Sequence, residues 1–445
     1  MSRKPSRAAR RAQLLTAAAR VETPGDCDVA VIGGGASGLV AAIAAAEAGA
    51  TVVVLEQDLE CGRTILATGN GRCNFSNVNL DPRRFNDPAF VETVCGPHWL
   101  DDILAFFRES GLRWSLEDER LYPSSRQASS VRNVLLARAR RAGVVLAPAR
   151  EVEEVSWIRR EWLGPLGHAA HYDPDSSTTQ PAGMAEVAHH TPGGGLILPG
   201  ARAVIIATGG TAFPFLGNLG LRTNRRVPVL CPIACEPSPL ARLDGRRAHV
   251  CVRLTKADSL FPSWQERGEV LFRDYGLSGI VTFDLSRRAE RGDLVELDLA
   301  PDLNAAQLRQ LVDPWARGGF EPGCLDGVLD PSIASLLEEL ARDGWHVDWP
   351  ERSVPTDDSS ALIALAKGLP LVVQGPTDTE HAQVTRGGLA TDQFDPETLA
   401  SREHPWLYAC GEALDVDADC GGFNLSWAWK SGLVAGAAAA RWALS

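Results

Sequence analysis

Asp28-Val-Ala-Val-Ile32 runs straight into Gly33-Gly34-Gly35-Ala36-Ser37-Gly38, and the chain continues through Leu39–Ala48 and Gly49 to Thr51-Val-Val-Val-Leu55-Glu56. The first five residues are a short apolar run, as in a parallel strand buried on both faces. The segment from Leu39 to Ala48 is rich in helix formers, and Gly49 stands where a helix C-cap glycine would. A second β-branched strand closes on Glu56. The whole is a βαβ unit in about thirty residues, the length expected of that motif. Its turn satisfies G-x-G-x-x-G, and each glycine has a task there. Gly33 makes the bend after the strand, Gly35 lets a pyrophosphate approach the backbone, and Gly38 lets the helix lie close on the strand. Ala36 and Ser37 open that helix, whose free N–H groups and partial positive charge favour phosphate. Glu56 lies 21 residues after Gly35, where a carboxylate accepts from adenosine ribose hydroxyls, with Gln57 beside it. An acid here, not a base, argues against a 2′-phosphate.

Two distant segments favour FAD over NAD as the dinucleotide. Ala203-Val-Ile-Ile-Ala207 reads as a buried strand ending in Thr208-Gly209-Gly210, small residues suited to close passage by a nucleotide. Leu407-Tyr-Ala-Cys410 reads as another strand, ending in Gly411-Glu412; that carboxylate is placed to accept from ribityl hydroxyls. Gly421-Gly422-Phe423-Asn424-Leu425 then opens a long small-residue helix, whose N-terminus stabilises negative charge on a reduced flavin ring. No second G-x-G-x-x-G follows a strand; Gly164–Gly167 and Gly217–Gly220 lack the spacing. A separate nicotinamide-binding Rossmann domain is therefore not expected, and NAD(P)H, if it is the reductant, reaches the flavin through a less regular site.

Between these anchors, residues 98–111 and 128–142 read as helices, and 144–146 and 151–158 as strands. Residues 164–200 read as a surface loop or irregular hairpin. The texture changes near 222, with dense proline, a strand at 248–254 and helices near 305–312 and 332–343. The expected organisation is a flexible extension at 1–25, a first FAD-domain part at 26–221, an inserted substrate-side domain at 222–371, and a second FAD-domain part at 372–445.

The 445 residues carry a net charge of −12, and 45% are hydrophobic, a balance typical of a soluble globular chain. The acidity speaks against a nucleic-acid partner, although Arg138, Arg140 and Arg141 cluster locally. No apolar run reaches the ~18–20 residues of a membrane span, and residues 1–25 lack the apolar core of a secretory signal. The ten cysteines form no C-x-x-C, and His189-His190 sits in a Gly/Pro-rich stretch. These features predict reduced thiols in a cytoplasmic protein with no metal site.

The stretch Cys61-Gly-Arg-Thr-Ile-Leu-Ala-Thr-Gly-Asn-Gly-Arg-Cys-Asn-Phe-Ser-Asn77 resembles the G-R-K-x-L-x-(S/T)-G-x-G-R-C-N-x-(T/S)-N segment of BaiN-like (YhiN-like) bacterial flavoproteins, often described as NAD(P)/FAD-dependent or aminoacetone-oxidase-family oxidoreductases. Arg120–Val131, Gly268–Gly279, Ala382–Gly388 and Gly411–Trp429 agree as well, so the resemblance spans 26 to about 440. It implies an α/β fold: a glutathione-reductase-like FAD-binding Rossmann domain with an inserted β-barrel-like plus helical domain. It also implies that Arg63, Gly69, Asn70, Gly71, Arg72, Cys73 and Asn74 line the cofactor. A small buried Cys73 is the reading preferred to a redox thiol, since no partner cysteine is near in sequence. One departure stands out. Thr211–Gly220 lacks the T-G-S-x-G-x-G-like loop that usually follows A-T-G-G in the family, so the mouth of the site is expected to differ there.

The expected reaction is a hydride transfer through flavin N5, to or from a small organic substrate such as one with an activated C=C bond. An amine-type oxidase using oxygen and a flavin-binding sensor remain open alternatives. Because the cofactor carries the chemistry, the protein need only hold, orient and polarise. Asn74, Thr385, Arg386 and Asn424 are the polar candidates near the ring, and Tyr275 is a candidate proton donor in the inserted domain.

Overall fold

The computed structural model describes residues 6–158, 183–197, 200–211, 214–236, 239–316, 323–347, 349 and 357–445. The chain divides into two compact units, one of residues 1–227 and 385–445, the other of residues 228–384.

The first unit is built on strand β1 (Asp26–Ile32), helix α2 (Ala36–Glu47) and strand β2 (Val52–Glu56), preceded by helix α1 (Arg7–Ala19). Part of the segment expected to be a flexible extension is thus helical: α1 is alanine-rich, and the Ser6 hydroxyl caps its first turn by accepting from Ala9 N–H at 3.2 Å. In the main sheet β1 lies between β2 and strand Gly200–Ile206, parallel to both, and β2 pairs in parallel with Val145–Pro148. Leu407–Ala409 joins the far end of Gly200–Ile206, also in parallel. Every residue of β2 is buried, which is why it reads as an unbroken apolar run and not as an alternating one. An antiparallel pair, Val152–Ile158 with Met184–His190, completes the sheet. Residues 184–190 therefore belong to the sheet and not to a surface loop. Ala185, Val187 and His189 are buried, and burial pushes the His189 imidazole toward its neutral form. Of the stretch 164–200 expected as a loop or irregular hairpin, 164–182 and 198–199 lie outside the described residues, and Leu196–Ile197 pairs back onto Met184–His190. The helix Pro88–Cys95 had no counterpart in the sequence reading; its Asp87 cap and Pro88 are the signal that marks its start.

The last helix, Phe423–Leu444, lies along α2 at backbone contact. A Cβ added to Gly432 would sit 2.6 Å from Ser37 O, and one on Gly436 would sit 2.2 Å from Ala41 O. Glycine at these two positions is what permits the approach, and α2 answers it with Ser37 and Ala41. Trp429 anchors the helix further by donating Nε1–H to Phe75 O at 2.8 Å, while its ring meets Phe107 edge-on at 5.1 Å.

The second unit is a closed six-stranded barrel with helices. Its strands are Ile233–Glu236, Arg247–Thr255, Pro262–Arg273, Gly276–Ser278, Leu294–Asp298 and Leu369–Pro376. Leu369–Pro376 pairs with both Ile233–Glu236 and Leu294–Asp298 and so closes the cylinder. That strand carries the unit past residue 371. Helices Ala305–Ala316, Pro331–Arg342 and Asp358–Lys367 share the barrel's apolar core through Leu308, Leu337 and Leu362.

Candidate functional site

The phosphate turn begins where β1 delivers Gly33 with φ of 104°, a conformation that side chains oppose. A Cβ on Gly33 would sit 2.4 Å from Ala207 O, and one on Gly38 would sit 1.9 Å from Gly33 O. Both glycines are required by the protein's own backbone. Gly35 differs. The nearest atom to a Cβ there is Thr64 Oγ1 at 3.5 Å, so the space above Gly35 is open. Gly35 is the N-cap of α2 and no side chain caps this end, which leaves helix N–H groups for an anion.

Glu56, at the end of β2, is buried and turned toward the turn. Its Oε2 accepts from Gly34 N–H and its Oε1 from Asp58 N–H, each at 2.7 Å. Burial pushes the carboxyl upward in pKa, and the two backbone donors pull it back. Glu56, expected from its spacing to meet a ribose, here pins the glycine turn. Glu56→Ala is expected to leave two N–H groups without acceptors, at about 1–3 kcal/mol each. Chemical denaturation should show a lower midpoint, and flavin fluorescence should show faster release of cofactor; an unchanged midpoint would count against the clamp. Gln57 is exposed, and Arg63 is exposed and paired with Asp58 at 2.8 Å.

Cys61 was missed as a contributor to the turn. It lies under Gly34, where a Cβ would come within 2.9 Å of its Sγ, and Gly62 N–H donates to Gly34 O at 2.7 Å. The chain then makes a tight run in which Gly69, Asn70, Gly71 and Cys73 have φ of 55°, 53°, 83° and 56°. For Cys73 this left-handed geometry costs roughly 1–2 kcal/mol, while Asn70 tolerates it better, and such strain gathers at functional sites. Cys73 is fully buried, and burial lifts its thiol to about 11, against a weaker opposing bond to Thr68. It is a packed thiol and not a thiolate. Arg72 is engaged by Glu117 at 2.8 Å and lies over the Tyr122 ring at 4.6 Å; Arg126 shares the same Glu117 oxygen, so one carboxylate serves two guanidinium groups here.

The distant segments converge on this turn. A Cβ on Gly411 would sit 2.4 Å from Ser37 Oγ, in the first turn of α2. Gly411 N–H donates to Ser431 Oγ at 2.9 Å, and its carbonyl accepts from Trp427 Nε1–H at 3.0 Å. Glu412 follows, accepting from Thr385 N–H at 2.7 Å. A Cβ on Gly210 would meet both Thr385 and Glu412 Oε1, at 2.5 and 2.7 Å; Thr208 and Gly209 sit just before it. Burial raises the Glu412 carboxyl to about 7, with the Thr385 bonds opposing and Asp417 reinforcing the rise. At neutral pH Glu412 can therefore donate as well as accept.

The last helix begins at Gly422, φ 98°, with no side-chain cap. A Cβ there would sit 2.7 Å from Ser76 O and 2.9 Å from Asn74 Oδ1. Asn74 Oδ1 is buried with no hydrogen-bond partner, and so is Thr208 Oγ1. Buried polar atoms are normally paired, so two orphans beside two uncapped helix starts and the open Gly35 fit a polar cofactor laid across them. Other sequence candidates are engaged within the protein. Asn424 accepts from Ala418 N–H and donates to Ala418 O, both at 2.8 Å. Arg386 forks onto the fully buried Asp417 at 2.9 and 3.1 Å. Phe423 packs against Phe85 at 6.3 Å, edge to face, and Leu425 is half-buried. Tyr275 belongs to the second unit, near the Arg273 guanidinium at 5.8 Å; burial raises its hydroxyl pKa. Among the described residues no group of His, Cys, Asp or Glu is placed to hold a metal, and all ten cysteines are free.

A Rossmann turn, a carboxylate at the end of β2 and a second anchor at the start of the last helix define an FAD-binding oxidoreductase. Residues 27–164 and 196–438 match the HI0933-like protein Rossmann domain, and the chain belongs to that family. A 3-dehydro-bile acid delta(4,6)-reductase of Clostridium scindens is 32% identical over 437 residues, covering 93% of this chain and 98% of that one. Ribosomal RNA dihydrouridine synthases of Escherichia coli and Haemophilus influenzae are each 24% identical. They cover 91% and 90% of this chain, and 96% and 95% of their own. No described helix is long and apolar enough to cross a membrane.

Proposed function

We propose that this protein is an NAD(P)H-linked flavoenzyme that reduces a carbon–carbon double bond conjugated to a carbonyl. The observation that carries the reading is the cradle itself: helix-start donors without a side-chain cap and the orphaned Asn74 and Thr208 oxygens lie together, a set that a dinucleotide would satisfy. Bound FAD would supply the two-electron hydride chemistry. The chain's own part is to bind and orient. Uncapped N–H groups of α2 at Gly35–Ser37 would hold the pyrophosphate. Glu56 and Glu412 would take ribose and ribityl hydroxyls. Asn74 and the start of the last helix would meet the ring edge, the helix end stabilising negative charge there. Glu412, near neutrality, is the side chain here best matched to hold or release a proton.

The choice of bond rests on the relatives. A delta(4,6)-reductase of a 3-dehydro acid saturates bonds conjugated to a C3 carbonyl. Making dihydrouridine saturates the C5=C6 bond of uracil, conjugated to its C4 carbonyl. The two names share that chemistry and little else. An anaerobic titration of the purified yellow protein with NADH and NADPH tests the proposal. Prompt bleaching of the visible flavin band, then recovery on adding a 3-oxo-Δ4 steroid or another enone, is the expected result. No bleaching by either nucleotide, with peroxide formed from an amine in air, would replace the reductase with an oxidase. A protein that cannot be loaded with FAD would overturn the site.

A further inference from the structure

We infer that α1 is a contact surface for the phosphate backbone of RNA. The helix lies before the family match begins at residue 27, so it is a feature of this chain outside the matched fold. Six of the 44 Lys and Arg fall in the first 20 residues (Arg3, Lys4, Arg7, Arg10, Arg11 and Arg20), and none of the 56 Asp and Glu does. In a chain of net charge −12 that is a concentrated local reversal.

The structure shows which face is free. Leu14 and Leu15 are half-buried and Ala18 is 1% exposed, so the apolar side of α1 already has cover. Arg7, Arg10 and Arg11 are exposed on the remaining surface. A membrane-surface helix needs its apolar face for the lipid, and here that face is occupied. Arg7 and Arg11 stand one turn apart, where like charges repel, and neither has an acidic partner among the described residues. Arg10 reaches Glu60 at 3.3 Å but stays 66% exposed, and Arg132 takes the other Glu60 oxygen at 3.1 Å. One carboxylate thus serves two guanidinium groups and the patch stays positive. Arg132 lies on helix Ala128–Arg141, whose end carries the exposed Arg140 and Arg141. The third arginine there, Arg138, is sequestered by Glu47 and Glu109. Five of the six terminal cations are arginine, whose planar fork matches phosphate oxygens in pairs.

A polyanion is the ligand this charge fits, and RNA is the one that carries a uracil ring, a carbonyl-conjugated double bond. In that choice alone the inference rests on the preceding reading. The binding test requires no turnover. Full-length protein and an Arg7→Gln/Arg10→Gln/Arg11→Gln variant would be titrated against a labelled stem–loop RNA, by fluorescence anisotropy, between about 50 and 200 mM salt. Glutamine preserves helix propensity, and unchanged FAD content and melting show that the variant folds. The wild type should bind with a steep salt dependence. The variant should bind at least roughly tenfold more weakly, with the log–log salt slope shallower by about 2–3. Three results would overturn the inference: no salt-dependent binding by the wild type, equal binding by the variant, or equal affinity for duplex DNA or anionic vesicles. RNA binding without enone reduction leaves this inference standing and sinks the previous one; enone reduction without RNA binding does the reverse.

Discussion

Gly38→Ala is expected to yield a protein that folds poorly around its cofactor site and purifies without yellow colour. The added methyl would sit 1.9 Å from Gly33 O and 3.1 Å from Ala207 Cβ. Neither neighbour can rotate away, because one is backbone at the bend and the other is the end of the adjacent strand. The first turn of α2 would have to lift from β1, taking the N–H groups of Ala36 and Ser37 with it. Overpacking of this kind costs about 1–3 kcal/mol, and an equal loss in the phosphate contacts would weaken FAD by roughly 5- to 150-fold. Gly35→Ala is the informative companion. Its methyl has 3.5 Å of clearance from Thr64 Oγ1, so the apoprotein should melt normally while FAD affinity still falls. The measurements are flavin content after gel filtration, FAD affinity by fluorescence quenching, and apoprotein melting. A Gly38→Ala protein with a full complement of flavin would refute the turn assignment.

Gly436→Leu should cost more stability than any substitution on the exposed side of the same helix. A Cβ at 436 would sit 2.2 Å from Ala41 O and 2.9 Å from Ala41 Cα, so the last helix must move off α2. Because Gly411 N–H bonds to Ser431 and Gly411 abuts Ser37, that movement would also separate the two halves of the cradle. A loss of about 3 kcal/mol or more is expected, larger than ordinary overpacking because backbone meets backbone. Ala437→Leu, on the half-buried neighbouring position, should change stability by less than about 1 kcal/mol. Denaturant midpoints measure the difference, and loss of FAD should track the midpoint for Gly436→Leu. Equal midpoints for the two variants would refute the helix contact.

Much of the geometry of the candidate cofactor site was legible along the chain because its first anchor is local. The strand, glycine turn, helix and acid of residues 28–56 act within about thirty residues, and steric demands on Gly33 and Gly38 appear directly as glycine. The second anchor was legible in part. Gly411, Glu412 and Gly422 stand at strand and helix ends, where small or acidic residues signal a ligand. The side-chain roles were not legible. Arg386 and Asn424 were expected near the ring on residue type alone; the structure adds that they bond Asp417 and the Ala418 backbone, which residue type does not reveal. Nothing in residue type distinguishes a polar group that meets a ligand from one that locks a loop. The Gly432-x-x-x-Gly436 spacing was a signal of close helix packing that the sequence reading passed over.

By itself the sequence determined the βαβ unit and its dinucleotide turn, because those depend on hydrophobic runs and on glycines whose neighbours are near in the chain. It also announced a change of architecture after residue 222, through dense proline and short strands. Only the tertiary structure decided that Glu56 clamps the Gly34 amide, that Cys61 lies beneath the turn, and that Asn74 meets the start of the last helix with an unpaired oxygen. The physical reason is that hydrogen-bond partners and buried acceptors are properties of space, set by how segments pack, whether about twenty residues apart like Gly34 and Glu56 or hundreds apart like Asn74 and Gly422. Sequence periodicity reports only which face of each segment is buried.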